Sequence, residues 1–295
     1  MRLVEIERHV ASMEELQRIV GAMRAIASMR MQEAARALGS VRAYGAALAE
    51  AVHDALTITA GQHPADSRRR DIGGLTEITC ASLLQSGNRA IVLFSSEHGF
   101  VGSFNQRVME AVESDLLATD ALMIMGSRGA AFAAEHGRAA AWTHPLATRL
   151  AGIPETVRLL NDALLRRIAR DGTVRAEVVF SRHRSSGGLV VERRRLLPLE
   201  LTAARVPPRR LAPLHDLPAP RLLEGLTAEY MLAQLTEAAT EAVAAENAAR
   251  FAAMESARDN VGRRLRTLRL DASRARQNEI TSELLELVTG EQALA

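Results

Sequence analysis

The chain of 295 residues contains no lysine; all 37 of its basic positions are arginine. This excludes a phosphate loop of the GxxxxGK[ST] kind, whose lysine reaches the terminal phosphates, and it reads first as a compositional bias. A single cysteine, Cys80, forbids an internal disulfide and any multi-thiolate metal site. Within ITCASLL it reads as a small apolar residue of a strand. Aromatic residues make up only 3% against 47% hydrophobic. Alanine and leucine therefore carry the apolar content, which argues for helical bundles and coils and against an all-β fold. The apolar runs are short and broken by charge, so none can span a bilayer. The first residues lack a basic region followed by an apolar block and a small-residue cleavage site. The expected location is the cytosol or the cytosolic side of a membrane.

The two ends of the chain read as long helices. From Ala245 onward glycine is scarce and proline absent, while Phe251, Met254, Val261, Leu265, Leu268, Ile280, Leu284 and Leu287 recur among alanine, glutamate and arginine. At the start, Leu3, Ile6, Val10, Met13, Leu16, Val20, Met23 and Ile26 are spaced by three or four. Each helix carries an apolar stripe that needs cover, and the simplest cover is the other helix in an antiparallel coiled coil. The opening helix is predicted over about Leu3 to Leu56, roughly 80 Å at 1.5 Å per residue, and the closing one over about Leu222 to Val288, roughly 100 Å.

Between them the period changes. EITCASLL and AIVLFSS read as strands, followed by the helical NQRVMEAVESDLL; ALMIMG, a helix near Ser127 to His136, and AAAW repeat the alternation. Strands alternating with helices predict βαβ units and a largely parallel sheet. After a helix around Pro154 to Arg170, AEVVFSRHR and GLVVERRRLLPL read as strands joined through SSGG as a hairpin. The breakers GQHPADSRRRDIGG, from Gly61 to Gly74, and the prolines between Ala203 and Pro220 mark the boundaries. The predicted class is α/β with long helices. Residues 1–58 and 221–295 form the coiled coil, 75–202 a central Rossmann-like α/β domain, and 59–74 and 203–220 the linkers.

A parallel sheet invites a ligand at the carboxyl ends of its strands. SEHGFVGSFN offers Gly99 and Gly102, and MGSRGAAF offers Gly126 and Gly129, but neither is GxGxxG, and close packing is the simpler cause. The eight histidines are scattered, with no pair at metal-ligand spacing on one helical face. His98 beside Glu97 is the only candidate general base. No serine lies in GxSxG and no acidic cluster has divalent-metal spacing. The expectation is no catalytic residue, no cofactor and no metal. Arg68 to Arg70 and Arg193 to Arg195 lack the interleaved aromatics of a nucleic-acid surface and read as solvated faces or turns.

LVEIERHVASMEELQRIVGAMRAIASMRM resembles the start of the gamma subunit of rotary ATP synthases, through Ile6, Arg8, Ser12, Gln17, Ile19, Ala22, Met23 and Ala27. The tail is closer still, through Glu246, Ala249, Arg250, Ala253, Met254, Asn260, Ala275, Arg276, Gln277, Ile280, Thr281, Glu283, Leu284 and Val288. SSEHGFVGSFN, MGSRGAAFAAEHG and RRLLPLEL echo the family between. The resemblance implies a central-stalk rotor: terminal helices forming a shaft inside a head of alternating alpha and beta subunits, and a foot domain gripping the membrane rotor ring with the epsilon subunit. It implies coupling of ion flow to ATP synthesis or hydrolysis, no direct membrane insertion, no nucleic acid, and a peripheral place on the cytoplasmic side of the bacterial plasma membrane. Met23, Arg250, Arg276, Gln277, Thr281 and Glu283 match the family's contacts with the catch loops of the head. Where the family usually reads ITKAM this chain has IVGAM, with Gly21 inside a helix, and GFVGSFN departs from the commoner foot motif. These departures mark a divergent member, with a variant sodium-type rotary ATPase among the readings left open. A nucleotide-binding α/β protein and a free-standing coiled-coil scaffold are the rivals.

Overall fold

The computed structural model describes residues 3–61, 88–171, 173, 175–184, 188–198 and 214–292. Cys80, the strand expected at ITCASLL, Arg68 to Arg70 and most of both expected linkers lie outside these residues. Helix α1 spans Leu3–Gly61 and α5 spans Ala219–Gln292, each a few residues longer than the apolar pattern predicts. Between them come β1 (Arg89–Phe94), α2 (Phe104–Glu113), β2 (Ala121–Met125), α3 (Ser127–Glu135), β3 (Trp142–His144), α4 (Ile153–Asp171), β4 (Arg175–His183) and β5 (Leu189–Leu197). The chain divides into two compact units, Met1–Ser28 with Arg250–Ala295, and Met29–Ala249.

In the first unit the two helices pair antiparallel. Glu7 meets Arg276 at 2.6 Å, Glu14 meets Arg269 at 2.6 Å and Arg24 meets Glu255 at 2.7 Å, so one number falls as the other rises. The seam holds Ile6, Val20 and Ala27 from α1 and Met254, Val261, Leu265 and Leu268 from α5, all buried. Positions 3, 6, 10, 13, 17, 20, 24 and 27 of α1 are all buried or half-buried, with 14, 21, 23 and 28 beside them, and the eight follow the 3.5-residue repeat of a coiled coil. Leu16 and Ile26, expected in the stripe, fall outside it at 40% and 46% exposure. The repeat selects Gln17 and Arg24 at those levels instead. Arg24 is half-buried there, with its guanidinium 5.6 Å over the Phe251 ring and paired with Glu255.

The second unit is built on a five-stranded sheet in the order β3-β2-β1-β4-β5. β3, β2, β1 and β4 run parallel, and β4 pairs antiparallel with β5, as the hairpin signal predicts. RAIVLF and ALMIM are buried throughout because helices cover both faces. Residues alternate between the faces. Ala90, Val92 and Phe94 meet α4 through Val157, Leu160 and Leu164 and α5 through Met231, Leu235, Ala238 and Ala242. Ile91 and Leu93 meet α2 through Phe104, Val108 and Val112. The alanines of α5 are what allow a helix to approach the sheet so closely.

Candidate functional site

The six residues singled out by resemblance fall into two groups on the first unit. Met23 is half-buried on α1, and Arg250 is only 7% exposed on α5, already engaged within the chain. Arg276, Gln277, Thr281 and Glu283 lie about 40 Å further along α5 at 1.5 Å per residue, on an exposed stretch. Arg276 is not idle: its guanidinium pairs with Glu7. The Thr281 hydroxyl donates to the Gln277 carbonyl at 2.8 Å. By the Glu7–Arg276 register, Leu3 falls opposite Ile280. Ile280, Leu284 and Leu285 are 50%, 57% and 61% exposed, three large apolar side chains on the surface of this stretch.

The second place to look is the carboxyl end of the parallel strands. There Glu97, just past β1, has its carboxylate turned onto the chain's own backbone. It accepts from the Ser127 N–H at 2.9 Å, the Ser127 hydroxyl at 2.8 Å and the Leu146 N–H at 2.8 Å. The N-terminus of α3, where a phosphate would sit in a nucleotide-binding sheet, is thus taken by a built-in anion. His98 is exposed, and its backbone N–H donates to Glu246 of α5 at 3.3 Å, while the Glu97 N–H donates to the same carboxylate at 3.2 Å. The Glu97 carboxylate is thus committed to Ser127 and Leu146. Asn105 bridges to Ser96 through both its amide groups. Gly129 serves close packing, since a Cβ there would lie 1.9 Å from the Ser95 Oγ. Gly126 adopts a φ of 111° and has the Ser95 carbonyl 2.6 Å from where its Cβ would be. Small-residue packing, the simpler of the two readings, holds at Gly126 and Gly129 but not at Gly99 and Gly102, where a Cβ would meet nothing within 4 Å and Gly102 instead serves a φ of 59°.

The arginine run on β5 corrects the reading of a solvated face. Arg193 pairs with Glu177 at 2.6 Å and with Asp115 at 2.9 Å, and Arg194 pairs with Glu237 of α5 at 3.1 Å while lying 5.3 Å over the Phe180 ring. Burial works against the Arg194 charge, but the hydrogen bonds to Glu237 and Glu192 outweigh it and hold the guanidinium more firmly protonated than usual. Hydrogen bonds from Arg193 and then Arg89 hold the Asp115 carboxyl below its ordinary range. Arg42 of α1 and Arg182 of β4 both pair with Glu241, which is 2% exposed. Glu237, Glu241 and Glu246 thus tie α5 to α1, to the β4–β5 hairpin and to the loop after β1. Their signal in the sequence is three acids interrupting an alanine and valine run, where a purely apolar face would be expected.

A pair of long antiparallel helices carrying an inserted, mostly parallel α/β domain defines a stalk-type architecture. The chain belongs to the ATP synthase family, whose sequence model matches residues 2–294. Among its relatives, the ATP synthase gamma chain of Saccharopolyspora erythraea is 29% identical over 316 aligned positions, covering all of this chain and 98% of the relative. That of Frankia casuarinae is 27% identical with the same coverage, and that of Geotalea uraniireducens is 24% identical over 99% of this chain. Identities this low along the whole chain make it a divergent member. In fold it is similar to the central stalk of the Tetrahymena thermophila mitochondrial ATP synthase (TM-score 0.53, 15% identity, 81% of this chain and 99% of the other). It is likewise similar to a chain of the Euglena gracilis mitochondrial enzyme (TM-score 0.52, 14% identity, 93% and 95%).

Proposed function

We propose that the chain is the central-stalk rotor of a bacterial rotary ATP synthase, coupling ion flow through the membrane sector to ATP synthesis or hydrolysis in an alpha/beta head. The observation that carries this reading is the long antiparallel helix pair, with Ile280, Leu284 and Leu285 exposed on the closing helix, within a chain matched along its length to gamma chains. Residues 1–58 and 221–295 act as the shaft and 75–202 as the foot, with 59–74 and 203–220 linking them. Met23, Arg250, Arg276, Gln277, Thr281 and Glu283 meet the head, and the foot meets the epsilon subunit and the membrane rotor ring. The chain contributes torque rather than chemistry, and it has no active site of its own. Among the described residues no helix is long and apolar enough to cross a membrane. That fits a peripheral subunit on the cytoplasmic side of the plasma membrane, held there by its partners.

Coupling needs each orientation of the shaft to interact differently with the open and closed states of the beta subunits. Arg276 can supply such a difference by exchanging Glu7, an exposed partner worth under about 1 kcal/mol, for a carboxylate of the head in one state and not in another. The reading is tested by affinity purification of the tagged chain at native expression. Recovery with alpha, beta and epsilon subunits supports it, and recovery of homodimers alone overturns it.

A further inference from the structure

The second unit holds a groove of about 450 Å³ between α4 and the edge of the sheet, lined by Met123, Ala141, Trp142, Ala163, Arg166, Arg167 and Arg170. Its floor is apolar, from β2, β3 and Ala163. Its rim is three arginines from the last turns of α4. Basic residues near a helix C-terminus usually answer the helix dipole, and Arg170 also pairs with the Asp171 carboxylate at 2.7 Å. Arg167 pairs with the same carboxylate, its Nε 3.3 Å away though not aligned as a hydrogen bond. Arg166 has no ionic partner among the described residues. Asp171 thus pairs with two of the three guanidinium groups, which leaves an excess of positive charge at the rim.

Trp142 is the only tryptophan of the chain. It is half-buried on β3, the edge strand, with its ring stacked on His144 at 5.6 Å between centroids. An aromatic wall, an apolar floor and guanidinium groups at one rim are complementary to one kind of ligand. We infer that this groove binds a small aromatic anion, its ring against Trp142, Met123 and Ala163 and its carboxylate, sulfonate or phosphate on Arg166 and Arg167. A groove of this volume lies within the 300–1,000 Å³ typical of small-molecule sites. Planar guanidinium groups suit two-oxygen anions, which accept two parallel hydrogen bonds. The site is separate from the carboxyl-end loops filled by Glu97, and it does not depend on the stalk reading.

The test uses the purified full chain, titrated with 2-naphthoate and followed by calorimetry and by the emission of Trp142. Two further probes separate the contributions: 2-naphthalenemethanol has the ring without the charge, and inorganic phosphate has charge without the ring. The expected result is saturable 2-naphthoate binding that changes Trp142 emission, with both other probes at least tenfold weaker. Arg166→Glu, at an exposed position where folding is not at stake, should weaken 2-naphthoate at least tenfold with unchanged helical content. Arg167→Gln should weaken it as well. Absence of saturation at millimolar probe, equal binding of the neutral ring, or unchanged affinity in Arg166→Glu would each overturn the assignment.

Discussion

Replacing Met254 by aspartate places a carboxyl in the seam of the first unit, where the native side chain is 4% exposed. Loss of the buried thioether side chain removes about 1.5–3 kcal/mol of burial. The introduced carboxyl then either ionises in an apolar seam or takes up a proton. Protonating an ordinary aspartic acid at pH 7 costs about 4 kcal/mol, from its reference value near 3.9 at 1.36 kcal/mol per unit, and this caps the ionic penalty. The sum is about 6 kcal/mol at pH 7, enough to separate the helix pair over this stretch. The pH dependence identifies the cause. A carboxyl whose folded pKa is raised stabilises the fold only where it is protonated, so the deficit against wild type should shrink by about 4 kcal/mol between pH 7 and pH 4. Met254→Ala, with no charge, should cost about 2–5 kcal/mol at both pH values. Circular dichroism melts of the purified chain at the two pH values measure this. Equal deficits at pH 4 and pH 7, or a melt unchanged from wild type, would show that Met254 does not face the seam.

Gly21→Ala should raise stability by about 1 kcal/mol, because a Cβ at Gly21 meets nothing within 4 Å and alanine is the better helix former; thermal melts read this. Gly129→Ala should lower it by about 1–3 kcal/mol through overpacking against Ser95, seen as earlier hydrogen exchange in β1 and α3. Asp115, whose folded pKa is depressed, stabilises the second unit fully above its ordinary pKa near 4, and that contribution is lost as pH falls through the lower folded value; Asp115→Asn should flatten this part of the acid limb of a stability profile. Arg276→Ala with Glu283→Ala removes charge-assisted hydrogen bonds worth about 1.5–3 kcal/mol each where they meet charged partners. The complex should assemble with normal composition and turn over ATP more slowly, whereas normal turnover would remove both residues from the mechanism.

Much of the fold is written in periodicity. The change from a spacing of three and four to short apolar runs separates the long helices from the sheet, and SSGG between two strand-like runs signals the antiparallel β4–β5 pair. The fine choice of seam is less legible. Leu16 and Ile26 are as apolar as Ile6 and Val20, and only the 3.5-residue repeat, accumulated along a paired helix, leaves them outside. The ion-pair hub was hidden for a different reason: Arg193, Arg194, Glu237 and Glu241 look like surface charges until the fold sets the β4–β5 hairpin against α5. Of the residues proposed to meet the head, the sequence carries position but not availability. Arg250 proves buried and Arg276 proves paired, and neither follows from helical spacing.

Rotation of the proposed shaft can be watched directly. With Cys80 replaced by serine, a cysteine introduced at Ser103 gives a single attachment point for a bead on the second unit. The head of the purified complex is fixed to glass through its beta subunits, and ATP is supplied. A rotor subunit should turn the bead steadily in one direction and stop when ATP is withdrawn. Beads that stay fixed on complexes shown to hydrolyse ATP would contradict it.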